Sequence, residues 1–298
     1  MLFARQRLLL TLLDTLREPV GHTDFQKLLF LFTQEFESTP TYEFVPYRFG
    51  CYSFTACADK QKLMTAGLLK PDETRWEISE QGRTLARKSA VTPLVVARFC
   101  RKYDGLRGDA LIAEVYRRFP FYAVESRIIE RVLPDPTERD RIHKARPSAS
   151  GPALLTIGYE GKSLEAYLNT LLRAGVTLLC DVRRNPLSRK YGFSKSTLRK
   201  ACEKVGIRYE HIPELGIDSE LRKELVTQAD YDNLFEVYER ESLPHMDEAL
   251  ARIRSWIEDE GARVALTCFE KFPHQCHRHC ISEALEPKLA FPKGTLHL

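Results

Sequence analysis

A chain of 298 residues with 43% hydrophobic and 29% charged residues holds material for one large or two ordinary cores, and this balance excludes a disordered polymer. The net charge of +4 excludes the strongly basic class that binds nucleic acid by bulk charge. The charge is uneven, however: residues 1–150 hold 24 Lys and Arg against 19 Asp and Glu, leaving 21 against 22 for the rest, so the front half is the better candidate for a polyanionic partner.

At the start of the chain, Arg5 and Arg7 precede a short apolar stretch, as in a secretory signal. Asp14 interrupts it, no small-residue cleavage site follows, and the pattern continues as an amphipathic helix over residues 5–18. No apolar run approaches the roughly 20 residues of a membrane span. Eight cysteines without the spacing of a disulfide framework point to reduced thiols, so a cytoplasmic protein without membrane contact is expected.

A second helix is predicted from Phe25 to Phe36, capped by Thr23 and Asp24, because Phe25, Leu28, Leu29 and Phe32 recur at helical spacing. Residues 42–50 are extended and aromatic. Ser53 starts a third helix that stops at Gly67, and Leu68-Leu69, a Pro-Asp turn and residues 75–79 form a two-stranded ribbon leading into another helix. Short helices followed by a ribbon and a helix is the order of a winged helix. The segments Phe25 to Phe32, Tyr42 to Phe54 and Trp76 to Ala86 resemble the winged-helix-like domains of bacterial regulators and antitoxin-type proteins, including the Panacea type, although Gly50-Cys51 stands where such members often carry Gly-Pro. That resemblance implies DNA binding or protein contact, with Arg48, Lys60, Lys62 and Arg75 as the cations expected to meet phosphates.

Residues 92–133 are predicted helical, broken at residues 103–109 with Asp109 as a cap. The aromatic and basic run from Tyr116 to Tyr122 fits packing between helices better than base stacking. Residues 134–152, rich in Pro and Ser, mark a linker between a mainly α domain at 1–133 and a second domain at 153–298.

The second domain alternates strand and helix: strands at 153–157, 176–180, 207–212 and 263–269, with helices at 164–172, 194–205, a long stretch broken near Pro244 that reaches about residue 260, and 277–285. This succession predicts an α/β fold in three layers around a mostly parallel sheet. In such a sheet the loops leaving the carboxyl ends of the strands form the ligand crevice. The four strands deliver Tyr159; Asp181, Arg183 and Arg184; Tyr209 and His211; and Cys268 and Glu270, followed by Cys276-His277-Arg278. The same residues carry a further resemblance. Ile157-Gly158-Tyr159, Asp181 to Ser188, Phe193 with Leu198, Tyr209 to Gly216 and Cys268 to Arg278 are similar to the pattern of the domain-of-unknown-function family 488, which implies an α/β fold and a residue set but no established reaction.

Three chemistries compete for this set. Zinc is suggested by Cys268, His274, Cys276, His277, His279 and Cys280, yet no second pair with Cys-x-x-Cys spacing exists, so neither metal nor cofactor is expected. Sulfur transfer from Cys268 is disfavoured because Phe269-Glu270 replaces an anion-cradling loop. Phosphate binding fits better, with Arg183, Arg184, Ser188, Arg189, Lys195, Tyr209, His277 and Arg278 as ligand-binding residues. Asp181 and Glu270, with Tyr159 and His211, suit N-glycosidic hydrolysis: a carboxylate stabilises oxocarbenium charge or activates water while arginines grip phosphate. The expectation is thus an enzyme acting on a nucleotide or modified base in nucleic acid, DNA before RNA. The alternative is a non-catalytic DNA-binding regulator that senses a nucleotide-like ligand.

Overall fold

The structure is a computed structural model that describes residues 2–218, 221, 225–290 and 294–298. The chain divides into two compact units, Met1–Arg146 and Pro147–Leu298.

The first unit is mainly helical: α1 (Ala4–Leu16), β1 (Val20–Gly21), α2 (His22–Phe36), β2 (Val45–Tyr47), β3 (Gly50–Tyr52), α3 (Phe54–Thr65), β4 (Arg75–Trp76), α4 (Glu80–Lys88), α5 (Pro93–Lys102), α6 (Gly108–Arg118), α7 (Ile129–Val132) and α8 (Pro136–Lys144). At its centre lies α2, apolar on all sides through Phe25, Leu28, Leu29, Phe30, Leu31 and Phe32, every one buried, as expected of a helix surrounded by others. Phe30 meets Phe44, Phe119 and Tyr122 edge to face, so the run from Tyr116 to Tyr122 packs the core. Ser53 caps α3 by accepting the Ala56 amide.

Several local expectations are corrected. Helix α2 starts at His22 behind Gly21, and Asp24 sits inside its first turn, accepting the Gly108 amide at 2.9 Å. Asp109 likewise lies within α6, whose cap position is Arg107. The ribbon expected between residues 68–69 and 75–79 is present as a short antiparallel Leu69–Ile78 bridge with backbone hydrogen bonds from Lys70 to Glu77 and from Ser79 to Leu68, and β4 pairs in addition with β1, Val20 opposite Trp76. The linker expected at 134–152 contains α8: Asp135 accepts the Thr137 amide, Pro136 opens the helix, and Ile142 is buried in the core of the first unit. Proline at the first helical turn is compatible with helix, so a Pro-rich composition here marks a helix start.

The second unit contains β5 (Ala153–Gly158), α9 (Leu164–Arg173), β6 (Leu178–Asp181), α10 (Lys195–Lys204), β7 (Arg208–His211), α11 (Gln228–Val237), α12 (Asp247–Glu258), β8 (Arg263–Cys268), α13 (Arg278–Leu285) and β9 (Leu296–His297). The strands form one sheet in the order β7-β6-β8-β5-β9, parallel throughout. The long helical stretch predicted after residue 212 is helical from Gln228 and turns at Leu243–His245 before α12; residues 219–220 and 222–224 lie outside the described residues. The short β9 carries no periodic signal and escaped the sequence reading. Leu154, Leu178, Cys180, Val264 and Leu266 pack with Ile253 and Ile257 of α12 and Ile281 and Leu285 of α13. Side chains alternate along a strand, which turns Thr267 to the other face, where its hydroxyl accepts from Tyr167 of α9 at 2.7 Å. Burial on both faces explains the near-continuous apolar runs. No helix among the described residues is long and apolar enough to cross a membrane.

Parallel register decides what the sheet presents. Gly158 stands opposite Cys268, and Asp181 opposite both Thr267 and His211, so four strands end level on one rim. Gly158 is required there: a Cβ on it would lie 1.8 Å from the Glu270 carbonyl oxygen. Gly158→Ala should therefore force the segment after β8 away from β5, with a loss of about 1–3 kcal/mol, typical of overpacking. Urea denaturation of the variant measures it, and an unchanged midpoint would show that the close approach is not a constraint.

Candidate functional site

Asp181 ends β6 and is completely buried. Its Oδ1 accepts from Arg183 Nε at 2.8 Å and from the Arg183 amide at 3.2 Å, and its Oδ2 accepts from Arg183 Nη2 at 2.5 Å and Tyr209 Oη at 2.5 Å. Arg183 Nη1 donates in turn to Tyr159 Oη and to the Phe193 carbonyl, both at 2.9 Å. The Tyr159 ring stacks on Phe193 with centroids 4.3 Å apart. Burial opposes the charge on Arg183, but the hydrogen bonds and charge of Asp181 outweigh it and raise its pKa. Burial and then Asp181 push the Tyr209 phenol upward as well. Both carboxylate oxygens are engaged, so the expectation that Asp181 is a catalytic base is corrected: it holds Arg183 and Tyr209 in place. Tyr209, expected to bind ligand, is consumed by the same contact.

Two more expected phosphate ligands are buried against backbone carbonyls. Arg278 is buried and donates from Nη1 to the Glu270 carbonyl at 2.6 Å and from Nη2 to the Lys271 carbonyl at 3.0 Å, fixing the segment after β8. His277 is buried, with Nε2 3.0 Å from the Val182 carbonyl. His211 is half-buried at the end of β7; it donates from Nε2 to the Arg183 carbonyl at 2.9 Å and accepts from Lys195 Nζ at 2.8 Å through Nδ1. Lys195 is exposed and remains accessible to an anion.

What stays open is a cleft of about 310 Å³ over the rim, walled by Tyr159, Arg183 and Cys268 and edged by Arg184, Ser188, Arg189 and Phe269. Arg184, Arg189 and Phe269 are exposed, and Ser188 is half-buried. The loop carrying Arg184 is held close to the segment after β7, since a Cβ on Gly216 would lie 2.1 Å from the Arg184 amide nitrogen. Glu270 is half-buried, and its Oε2 accepts from the Cys268 thiol at 3.2 Å. Of the proposed catalytic set, Tyr159 lines the cleft and Glu270 touches the Cys268 thiol in its wall, whereas Asp181 is buried and His211 is engaged by Lys195.

A second cation-lined feature belongs to the first unit. Arg127, Arg131, Arg139, His143 and Arg146 line a cleft of about 660 Å³. Sequence reasoning missed it by assigning residues 134–152 to a linker, although Arg139, His143 and Arg146 recur at the spacing of one helix face. Of the cations expected to meet phosphates, Arg48, Lys62 and Arg75 are exposed. Lys60 is buried, donating to the carbonyls of Asp72 at 2.7 Å and Glu73 at 3.0 Å, and is corrected to a structural residue.

A model of the family described as Domain of unknown function DUF488 matches residues 163–285. The match lies within the second unit and begins after Ile157-Gly158-Tyr159, so it includes the ends of β6, β7 and β8 but not that of β5. No curated protein and no solved structure matches the chain.

Removing one partner of a buried ion pair leaves the other charge unpaired and costs about 3–5 kcal/mol. Asp181→Asn should therefore lower the stability of the chain by that order, read as a shift of the denaturant midpoint. A shift under 1 kcal/mol would show that Arg183 does not depend on this carboxylate.

Proposed function

We propose that the α/β unit takes a nucleotide, or a base presented in nucleic acid, into the cleft at the carboxyl ends of β5, β6 and β8 and hydrolyses its N-glycosidic bond. The observation that carries this reading is the composition of that cleft. Exposed Arg184 and Arg189 supply bidentate donors for phosphate, Phe269 offers an aromatic face to a base, and the Glu270 carboxylate adjoins Cys268 in the wall. As the bond between the sugar carbon and the base nitrogen breaks, the sugar gains oxocarbenium character. Glu270 would stabilise that charge or take the proton of the attacking water. Asp181 has no part in the proton transfers on this reading and acts by positioning Arg183.

The first unit, read as winged-helix-like, would hold the DNA backbone. Arg48, Lys62 and Arg75 are exposed, and the Arg127 to Arg146 cleft adds cations of the kind that neutralise phosphates.

The engagement of Asp181 favours the second reading, a DNA-binding regulator whose α/β unit senses a nucleotide-like ligand without turning it over. Duplex and single-stranded DNA bearing ordinary and modified bases discriminates the two. Mass spectrometry should find released base and an abasic product, both lost in Glu270→Gln, while Arg184→Ala raises KM by about tenfold or more, as expected for one charge-assisted contact. Binding without turnover, weakened by Arg184→Ala and indifferent to Glu270→Gln, supports the regulator. Neither binding nor turnover with any nucleic acid or nucleotide would remove both.

A further inference from the structure

The rim carries a side-chain cluster that the reading above does not use. Cys268 ends β8, and Cys276 and His277 lead into α13. The two thiol sulfurs and an imidazole nitrogen all lie within 4.8 Å of one another, and the three residues are buried. His277 Nδ1 is 3.8 Å from Cys268 Sγ and 3.9 Å from Cys276 Sγ. The other ring nitrogen, Nε2, is 3.0 Å from the Val182 carbonyl, a group that only accepts. In the tautomer that donates to this carbonyl from Nε2, Nδ1 turns its lone pair towards both thiols. A backbone carbonyl that fixes the tautomer in this way is the usual second shell of a metal-binding histidine.

The distances fit such a role. With zinc–sulfur bonds of about 2.3 Å and zinc–nitrogen bonds of about 2.0–2.1 Å, a tetrahedral site has sulfur–nitrogen edges of roughly 3.5–3.6 Å. The two observed sulfur–nitrogen separations need to close by only a few tenths of an ångström. Buried cysteines are often no more than small apolar side chains; here both sulfurs lie within hydrogen-bonding reach of one imidazole nitrogen.

We infer that Cys268, Cys276 and His277 form a binding site for a thiophilic divalent ion of the zinc class. Three protein donors leave the fourth tetrahedral position to water or a substrate atom. The Glu270 carboxylate, bonded to the Cys268 thiol, stands beside this set. An ion held by two cysteines and a histidine, with a non-ligating glutamate alongside, is a water-activating arrangement. Cys268 also lines the open cleft, so the ion would adjoin whatever binds there. Sequence spacing pointed away from zinc because one ligand comes from a strand end and two from the entry to a helix, and no paired Cys-x-x-Cys exists to announce them. The site stands on this geometry whether or not the cleft hydrolyses a glycosidic bond. An incoming ion must displace thiol protons, and its affinity falls as pH falls.

The test is a cobalt titration of the full-length protein, stripped with chelator and kept reduced. One equivalent of Co²⁺ should produce thiolate-to-cobalt charge-transfer bands and tetrahedral d–d bands, with proton release, and one equivalent of Zn²⁺ should abolish both sets. X-ray absorption of the zinc-loaded protein should count two sulfur ligands and at least one nitrogen. Cys276→Ser and His277→Ala should lose the bands, whereas Cys100→Ser, in the other unit, should keep them. The wild-type titration and ligand count decide the matter even if a variant fails to fold. A featureless titration, fewer than two sulfurs on the zinc, or Cys268 and Cys276 joined as a disulfide in protein purified without reductant overturns the inference.

Discussion

The Asp181–Arg183 ion pair is the interaction on which the rim of the sheet depends. A carboxylate with no solvent exposure is tolerable only when its charge is compensated and its lone pairs are used, and Arg183 does most of both. Because a guanidinium offers five donors in a rigid plane, one side chain also reaches Tyr159 after β5 and the Phe193 carbonyl before α10. Tyr209 of β7 completes the carboxylate's contacts. One buried acid thereby registers the ends of three strands and the entry to a helix, and the shape of the cleft above follows from that registration.

The parallel sheet was legible in the sequence because two-sided burial writes itself as uninterrupted apolar runs, as in Leu178 to Cys180 and Val264 to Leu266. The level ending of the strands follows from parallel pairing once those runs are found. What the sequence did not distinguish is a polar side chain that faces a ligand from one that faces a partner inside the protein. Asp181, Tyr209 and Arg278 have the composition of an active site and the burial of a scaffold. Accessibility arises from contacts between distant segments, such as Arg278 with the carbonyls of Glu270 and Lys271, and no local pattern encodes them.

The same limit runs in both directions in the first unit. Lys60 looks like a surface cation in α3, yet its ammonium donates to two carbonyls beside the Trp76 ring, where its aliphatic stem joins the core. The Pro- and Ser-rich composition from residue 134 onward suggested a tether, but Asp135 and Pro136 are start signals of a helix whose Ile142 reaches the core. The helical spacing of Arg139, His143 and Arg146 was available in the sequence and was overlooked once that segment had been set aside as linker.

The absent side chain at Gly158 has a consequence for heredity as well as for packing. With the Glu270 carbonyl only 1.8 Å from where a Cβ would sit, no larger residue fits unless the segment beyond β8 gives way. Because the close contact is to backbone, no exchange of the side chain at position 270 relieves it, and the constraint falls on position 158 alone. That makes a single codon on the first strand of the sheet a guardian of the geometry of a carboxylate 112 residues further along.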